Sequence, residues 1–215
     1  MKYNPDIYHR RSIRLREYDY TSSGAYFVTI CTHGRECQFG RINNGEILLN
    51  DAGRMVESVW CELATNYPGV AVGAHVVMPN HFHGIIILDV GAGPRACPDL
   101  TGPCACPDLT GPYGGEEQGG EDTGHPQGGE DTGHPQGGAP TMSLPDVVHR
   151  FKSLTTTRYR YGVEQSDWPS FPGRLWQRNC FERVIRDENE LAGIREYIQQ
   201  NPLKWADDEN NPNAT

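Results

Sequence analysis

The stretch VVMPNHFHGIII, residues 76–87, decides how the rest of the chain is read. It is apolar on both sides of Pro79-Asn80, a dipeptide with turn chemistry. VAVGAHVVM (70–78) therefore reads as one strand and HFHGIIILDV (81–90) as the next, paired antiparallel through a tight turn. Side chains alternate along a strand, so His81 and His83 share one face with Cα atoms roughly 7 Å apart. Phe82 and Gly84 face the other way. A core gains nothing from two polar rings. Either the pair finds hydrogen bonds near a strand end, or both imidazoles are aimed at one metal ion.

Working outward, AYFVTICT (25–32) has the β-branched and aromatic content of a strand, and EILLN (46–50) is a short strand candidate. In DAGRMVESVWCELATNY (51–67), Met55, Val56, Val59, Trp60 and Leu63 recur at helical spacing, with Asp51 as N-cap. SLPDVVHRFKSLTTTRYRYG (143–162) reads as a helix capped by Ser143. LWQRNCFERVI (175–185) reads as a strand, or as two short ones with a bend. DENELAGIREYIQQN (187–201) reads as a helix stopped by Pro202. Two helices flanking one antiparallel sheet predict an α+β, ferredoxin-like fold.

Residues 91–140 differ from the rest. ACPDLTGP occurs at 96–103 and again at 105–112, and GGEDTGHPQ at 119–127 and again at 128–136. Gly, Pro, Asp, Glu and Thr dominate, so the segment cannot bury enough surface to offset its ordering entropy. It reads as a disordered surface insertion lengthened by tandem duplication, which a host fold tolerates at small closure cost. The chain thus divides into one catalytic-type domain formed by 1–90 and 141–205, the repeat insertion 91–140, and a disordered tail 206–215. The insertion holds eight acidic residues and one basic residue, Arg95, for a net of −7 out of the whole chain's −9. The folded part is left near −2, so overall acidity says little about partners.

Local clusters say more. Arg10, Arg11, Arg14 and Arg16 form one basic group, and Arg150, Lys152, Arg158 and Arg160 another; both are candidates for gripping a nucleic-acid backbone. Seven cysteines, without framework spacing, read as reduced thiols. Cys104 and Cys106 come nearest to metal-ligand spacing, but they belong to a repeat. No apolar run approaches the ~18 residues needed to span a bilayer, and the start has no signal-peptide stretch, which points to the cytoplasm.

A second constellation lies in the last helix. Tyr197 and Asn201 are i and i+4, stacked on one face. Singly they read as a half-buried aromatic and a C-cap before Pro202. Together they place a phenol nucleophile and an amide-oxygen ligand side by side, as metal-assisted attack on phosphate requires.

The MPNHFH hairpin, the YIQQNP helix end and the opening RRSIRLREYDYTSSGAYFVTICT resemble the REP-associated tyrosine transposases, relatives of the single-tyrosine HUH transposases. The resemblance covers nearly all of the chain outside 91–140, about three-quarters of it. It implies a ferredoxin-like sheet, His81 and His83 as ligands of a divalent ion, Tyr197 as nucleophile and Asn201 as third ligand. It implies Mg²⁺ or Mn²⁺ as cofactor, and single-stranded or hairpin DNA, including REP-type repeats, as partner in a prokaryotic, nucleoid-associated setting. The implied reaction is cleavage and rejoining of DNA through a 5′-phosphotyrosine. The insertion departs from the family pattern and adds negative charge near a DNA-binding protein. Two other readings stay open: a DNA-binding protein that does not cleave, and a zinc hydrolase with His75 as an additional ligand. Tyr159 and Tyr161 are the next candidates for the nucleophile. Monomer and dimer are equally compatible with the sequence.

Overall fold

A computed structural model describes residues 22–89, 142–212 and 214. Arg10, Arg11, Arg14, Arg16 and the whole repeat insertion lie outside the described residues. In chain order the elements are β1 (Gly24–Cys31), β2 (Gly40–Asn43), β3 (Glu46–Leu49), α1 (Asp51–Asn66), β4 (Val70–Val77), β5 (His81–Leu88), α2 (Leu144–Gln165), β6 (Phe181–Ile185) and α3 (Glu188–Gln200). Short 3-10 turns span His33–Arg35 and Pro202–Asp207. The main sheet has the order β4-β5-β1-β6, with every neighbouring pair antiparallel. With α1 after β1 and α2 after β5, this is the ferredoxin-like α+β arrangement that the sequence predicts.

Alternation along the strands builds two faces. Tyr26, Val28 and Ile30 of β1, with Phe82, Ile86 and Leu88 of β5, enter a core shared with Val56, Val59, Trp60 and Leu63 of α1 and Val147, Phe151 and Tyr159 of α2. Tilted aromatic pairs pin the layers: Trp60 to Phe82 at 4.6 Å and Phe82 to Phe151 at 5.0 Å between ring centroids. Gly84 belongs to this contact. A Cβ there would sit 2.5 Å from the Trp60 ring, so only glycine lets the indole lie on the strand.

The opposite face carries Phe27 of β1, Ile85 of β5 and Ile185 of β6, and it packs on Leu191, Ile194 and Ile198 of α3. Leu191, Ile194 and Ile198 are spaced by three and four residues, which lines them along one stripe of the helix. His81 and His83 are in phase with Ile85, so they point to the α3 side.

Several local expectations shift. The N-cap of α1 is Asn50, one residue before Asp51: its Oδ1 accepts from the Gly53 backbone N–H at 2.9 Å, while Asp51 pairs with Arg54. Residues 46–49 pair with β2, a strand the sequence reading missed, in a separate hairpin outside the main sheet. Of 175–185 only 181–185 is a strand; Trp176 is held by one bridge to Thr32 and by its indole N–H, which donates to Thr155 Oγ1 at 2.8 Å. Residues 206–212 also depart from the expected disordered tail. They follow the 3-10 turn back against the domain, where Asn210 is buried.

Candidate active site

The start of β5, the start of the tail and the last turn of α3 meet on the α3 face. Asn80, in the turn before β5, organises the first histidine. Its Nδ2 donates to the backbone carbonyls of Arg35 at 2.8 Å and Asn210 at 2.6 Å. That fixes the amide, so its Oδ1 faces Nδ1 of His81 at 2.9 Å as an acceptor. His81 therefore carries its proton on Nδ1 and keeps a lone pair on Nε2. Nδ1 of His83 lies 2.8 Å from Thr29 Oγ1, across the β1–β5 pair, which again turns Nε2 inward.

Both inward nitrogens are buried without a hydrogen-bond partner, and so is Oδ1 of Asn201. The Asn201 amide is close enough to favour the charged form of His81, yet it makes no hydrogen bond of proper geometry to it. The two imidazoles stand 4.6 Å apart between centroids. Leaving such atoms unpaired costs about 1–3 kcal/mol each, which native folds tolerate only for a reason. Two neutral nitrogens and an amide oxygen are a donor set for a divalent cation. Burial holds both rings neutral, the form in which imidazole binds metal: His81 is pushed down to about 4, and His83 well below its ordinary value with the neighbouring His81 adding to the effect. Among the described residues, no three His, Cys, Asp or Glu side chains form such a group.

Tyr197 stands beside this set. Its ring lies 5.3 Å from that of His83 and 5.9 Å edge-on to Phe27, and it is 43% exposed. Burial raises its phenol pKa, and Asp208 and Glu209 raise it further, against a hydrogen bond from Asn201. The protein alone thus does not ionise the phenol.

The tail supplies what the sequence did not show. Asp208 Oδ2 is 3.9 Å from His81 Nε2, and Trp205 packs 6.0 Å from the His81 ring. Both come from a polar stretch without periodicity, so nothing in the pattern marked them. Asn80 was legible only as a turn residue; its two carbonyl contacts depend on long-range folding.

No protein-family model matches the chain. A Haemophilus influenzae protein, described as an uncharacterized protein, is 36% identical over 209 residues, covering 97% of this chain and 96% of its own length. The chain belongs to the family of that Haemophilus protein. Two solved structures are similar in outline to this family member. One is a REP-associated tyrosine transposase bound to a REP hairpin, with TM-score 0.48 and 18% identity, covering 89% of this chain and 73% of the other. The second is a transposase candidate from Deinococcus radiodurans, with TM-score 0.40 and 16% identity, covering 86% and 95%. At those scores the likeness says nothing about chemistry.

Other sequence candidates separate clearly in this family member. His75 is not a third ligand: it lies on the opposite face of the sheet, against Trp60 and Phe82, each at 6.1 Å, with Nε2 3.8 Å from Glu57. Its partner across the hairpin is Gly84, so it shares the face of Gly84 rather than that of His83. The zinc-hydrolase reading built on it is therefore withdrawn. Tyr159 is fully buried, and its hydroxyl donates to Gln38 at 2.6 Å; Tyr161 is exposed on the same helix, α2, which packs on the far face of the sheet. Among the basic candidates, Arg158 forms a two-pronged bridge to Glu62 at 2.6 Å, and Lys152 donates to the carbonyls of Gln177, Arg178 and Asn179. Arg150 and Arg160 are exposed, Arg160 over the Phe171 ring at 6.0 Å. No helix among the described residues is long and apolar enough to cross a membrane.

Proposed function

We propose that the protein is a metal-dependent, single-stranded DNA transesterase of the transposase kind, acting on hairpin-forming DNA. One observation carries this reading. The three orphaned acceptors of His81, His83 and Asn201 lie beside the exposed phenol of Tyr197 on one sheet face.

In this reading His81, His83 and Asn201 hold Mg²⁺ or Mn²⁺, which when bound draws charge off the phosphate oxygens. Asn80 keeps His81 in the ligating tautomer, and Thr29 orients the His83 ring. The Tyr197 oxygen attacks phosphorus, a tyrosine–phosphate bond forms, and the bond to the 3′-oxygen breaks. The phenol's proton passes to solvent, and the departing 3′-oxygen takes one up. The product is a 5′-phosphotyrosine and a free 3′-hydroxyl. One phosphodiester has replaced another, so the reverse attack by a 3′-hydroxyl rejoins strands without ATP. The exposed Arg150 and Arg160, with the basic residues at 10–16, remain candidates for contacts to the DNA backbone.

The test is incubation with end-labelled, single-stranded hairpin DNA and Mn²⁺, followed by denaturing gels. Cleaved and rejoined products that disappear with chelator support the enzyme. Retained binding with no strand breakage under any divalent ion makes the protein a non-cleaving DNA binder.

A further inference from the structure

α3 packs along β4 and leaves the β1–β6 side of the same face open. The result is a cleft of about 730 Å³ bounded by Phe27 and Thr29 of β1, Phe181 and Arg183 of β6, and Gly193 and Tyr197 of α3. It opens directly onto the nucleophile proposed above.

Folding does not account for two of these residues. Phe181 is a large apolar side chain at the sheet edge, 47% exposed, although it reaches Phe27 at 6.4 Å. Gly193 sits in the middle of α3, where glycine costs about 1 kcal/mol relative to alanine. Elsewhere in this protein a helix or strand glycine admits a neighbour: Gly162 and Gly84 each lie under a tryptophan. At Gly193 an added Cβ would meet nothing within 4 Å. The missing side chain thus leaves room for something from outside the chain. Gly193 is four residues before Tyr197, on the same helix stripe. Arg183, paired with Glu190 at 2.5 Å, keeps its side chain 58% exposed at the cleft wall.

We propose that this cleft takes an unpaired nucleobase of the DNA strand next to the phosphodiester that Tyr197 attacks. The base stacks on Phe181 and passes over Gly193, and Arg183 meets the adjoining phosphate. An aromatic wall beside a cation is the chemistry that holds single-stranded nucleic acid without requiring a particular sequence. The proposal rests on the DNA-processing reading above, and the experiment separates the two.

Tyr197→Phe protein, which should hold DNA without cutting it, is mixed with a hairpin whose single-stranded flanks are of random sequence and carry 5-iodouracil. The mixture is irradiated, and the cross-linked peptide is identified by mass spectrometry. The expected cross-link is at Phe181. Phe181→Ala should remove it and weaken binding about tenfold, the loss of one stacked base. Gly193→Leu should block the cleft and weaken binding similarly, while its melting temperature stays level or rises. Tight binding with cross-links elsewhere, unaffected by either variant, overturns the base pocket and leaves the DNA-processing reading standing. Absence of binding to any hairpin overturns both.

Discussion

Asn80 shows how much a single amide settles. With both its N–H groups committed to carbonyls, its oxygen can only accept, and His81 must present a bare Nε2. The metal proposal turns on such assignments. Manganese affinity measured by calorimetry should collapse in His81→Ala and in His83→Ala. Asn201→Ala should cost less, because water replaces an amide oxygen readily at a hard cation. Equal affinity in all three variants and in the parent would remove these residues from the ligand set. Burial of the two rings also predicts a pH effect in the chelated protein. His81 falls to about 4 when folded and returns near 6.5 when unfolded, so the unfolded chain binds more protons between those values. Stability is therefore full above about pH 6.5 and declines as the pH falls toward about 4, by roughly 3 kcal/mol from His81 alone. Denaturant unfolding at about pH 7.5 and about pH 5 checks the sign. A flat response would mean that water reaches the imidazoles.

At the scale of elements, the tight β4–β5 hairpin was legible because period-two alternation and Pro79-Asn80 agree. That agreement alone put His81 and His83 on one face. The i, i+4 spacing placed Tyr197 and Asn201 on one stripe, and the apolar Leu191, Ile194 and Ile198 turn that helix onto the sheet. Spacing within an element could not say which face α3 covers, nor that α1 and α2 share the other. β2 was missed because Gly40–Asn43 offers four residues with one aliphatic among them. His75 pairs with Gly84, so the regular register from the Pro79-Asn80 turn puts it on the face away from His81 and His83. The helix–sheet contact makes its own prediction. Gly84→Ala drives a methyl into the Trp60 ring and should destabilise by about 1–3 kcal/mol, as overpacking does. Thermal unfolding reads it, and an unchanged midpoint would mean that the indole shifts freely.

At the scale of the whole molecule, the repeats at 91–140 interrupt the chain between β5 and α2. Their composition gives them no apolar face to pack. Deleting 92–140 and bridging with a short Gly/Ser linker should therefore change folding stability by less than about 2 kcal/mol. A larger loss in denaturant titration would show that the repeats pack on the domain. At the other end, Trp205 packs near His81 and the Asn210 carbonyl accepts from Asn80, so the site depends on the chain after α3 as well as on β5 and α3.

In the proposed reaction Tyr197 is the group that takes the DNA strand. The direct measurement mixes wild-type protein, Mn²⁺ and labelled hairpin DNA, resolves protein-linked label on a denaturing gel, and identifies the modified peptide by mass spectrometry. The account predicts a covalent adduct on Tyr197 that needs the metal. It also predicts no adduct in Tyr197→Phe, which should remain folded and still bind the hairpin through backbone contacts. A covalent adduct that persists in Tyr197→Phe, or one mapped to another residue in the wild type, would contradict it.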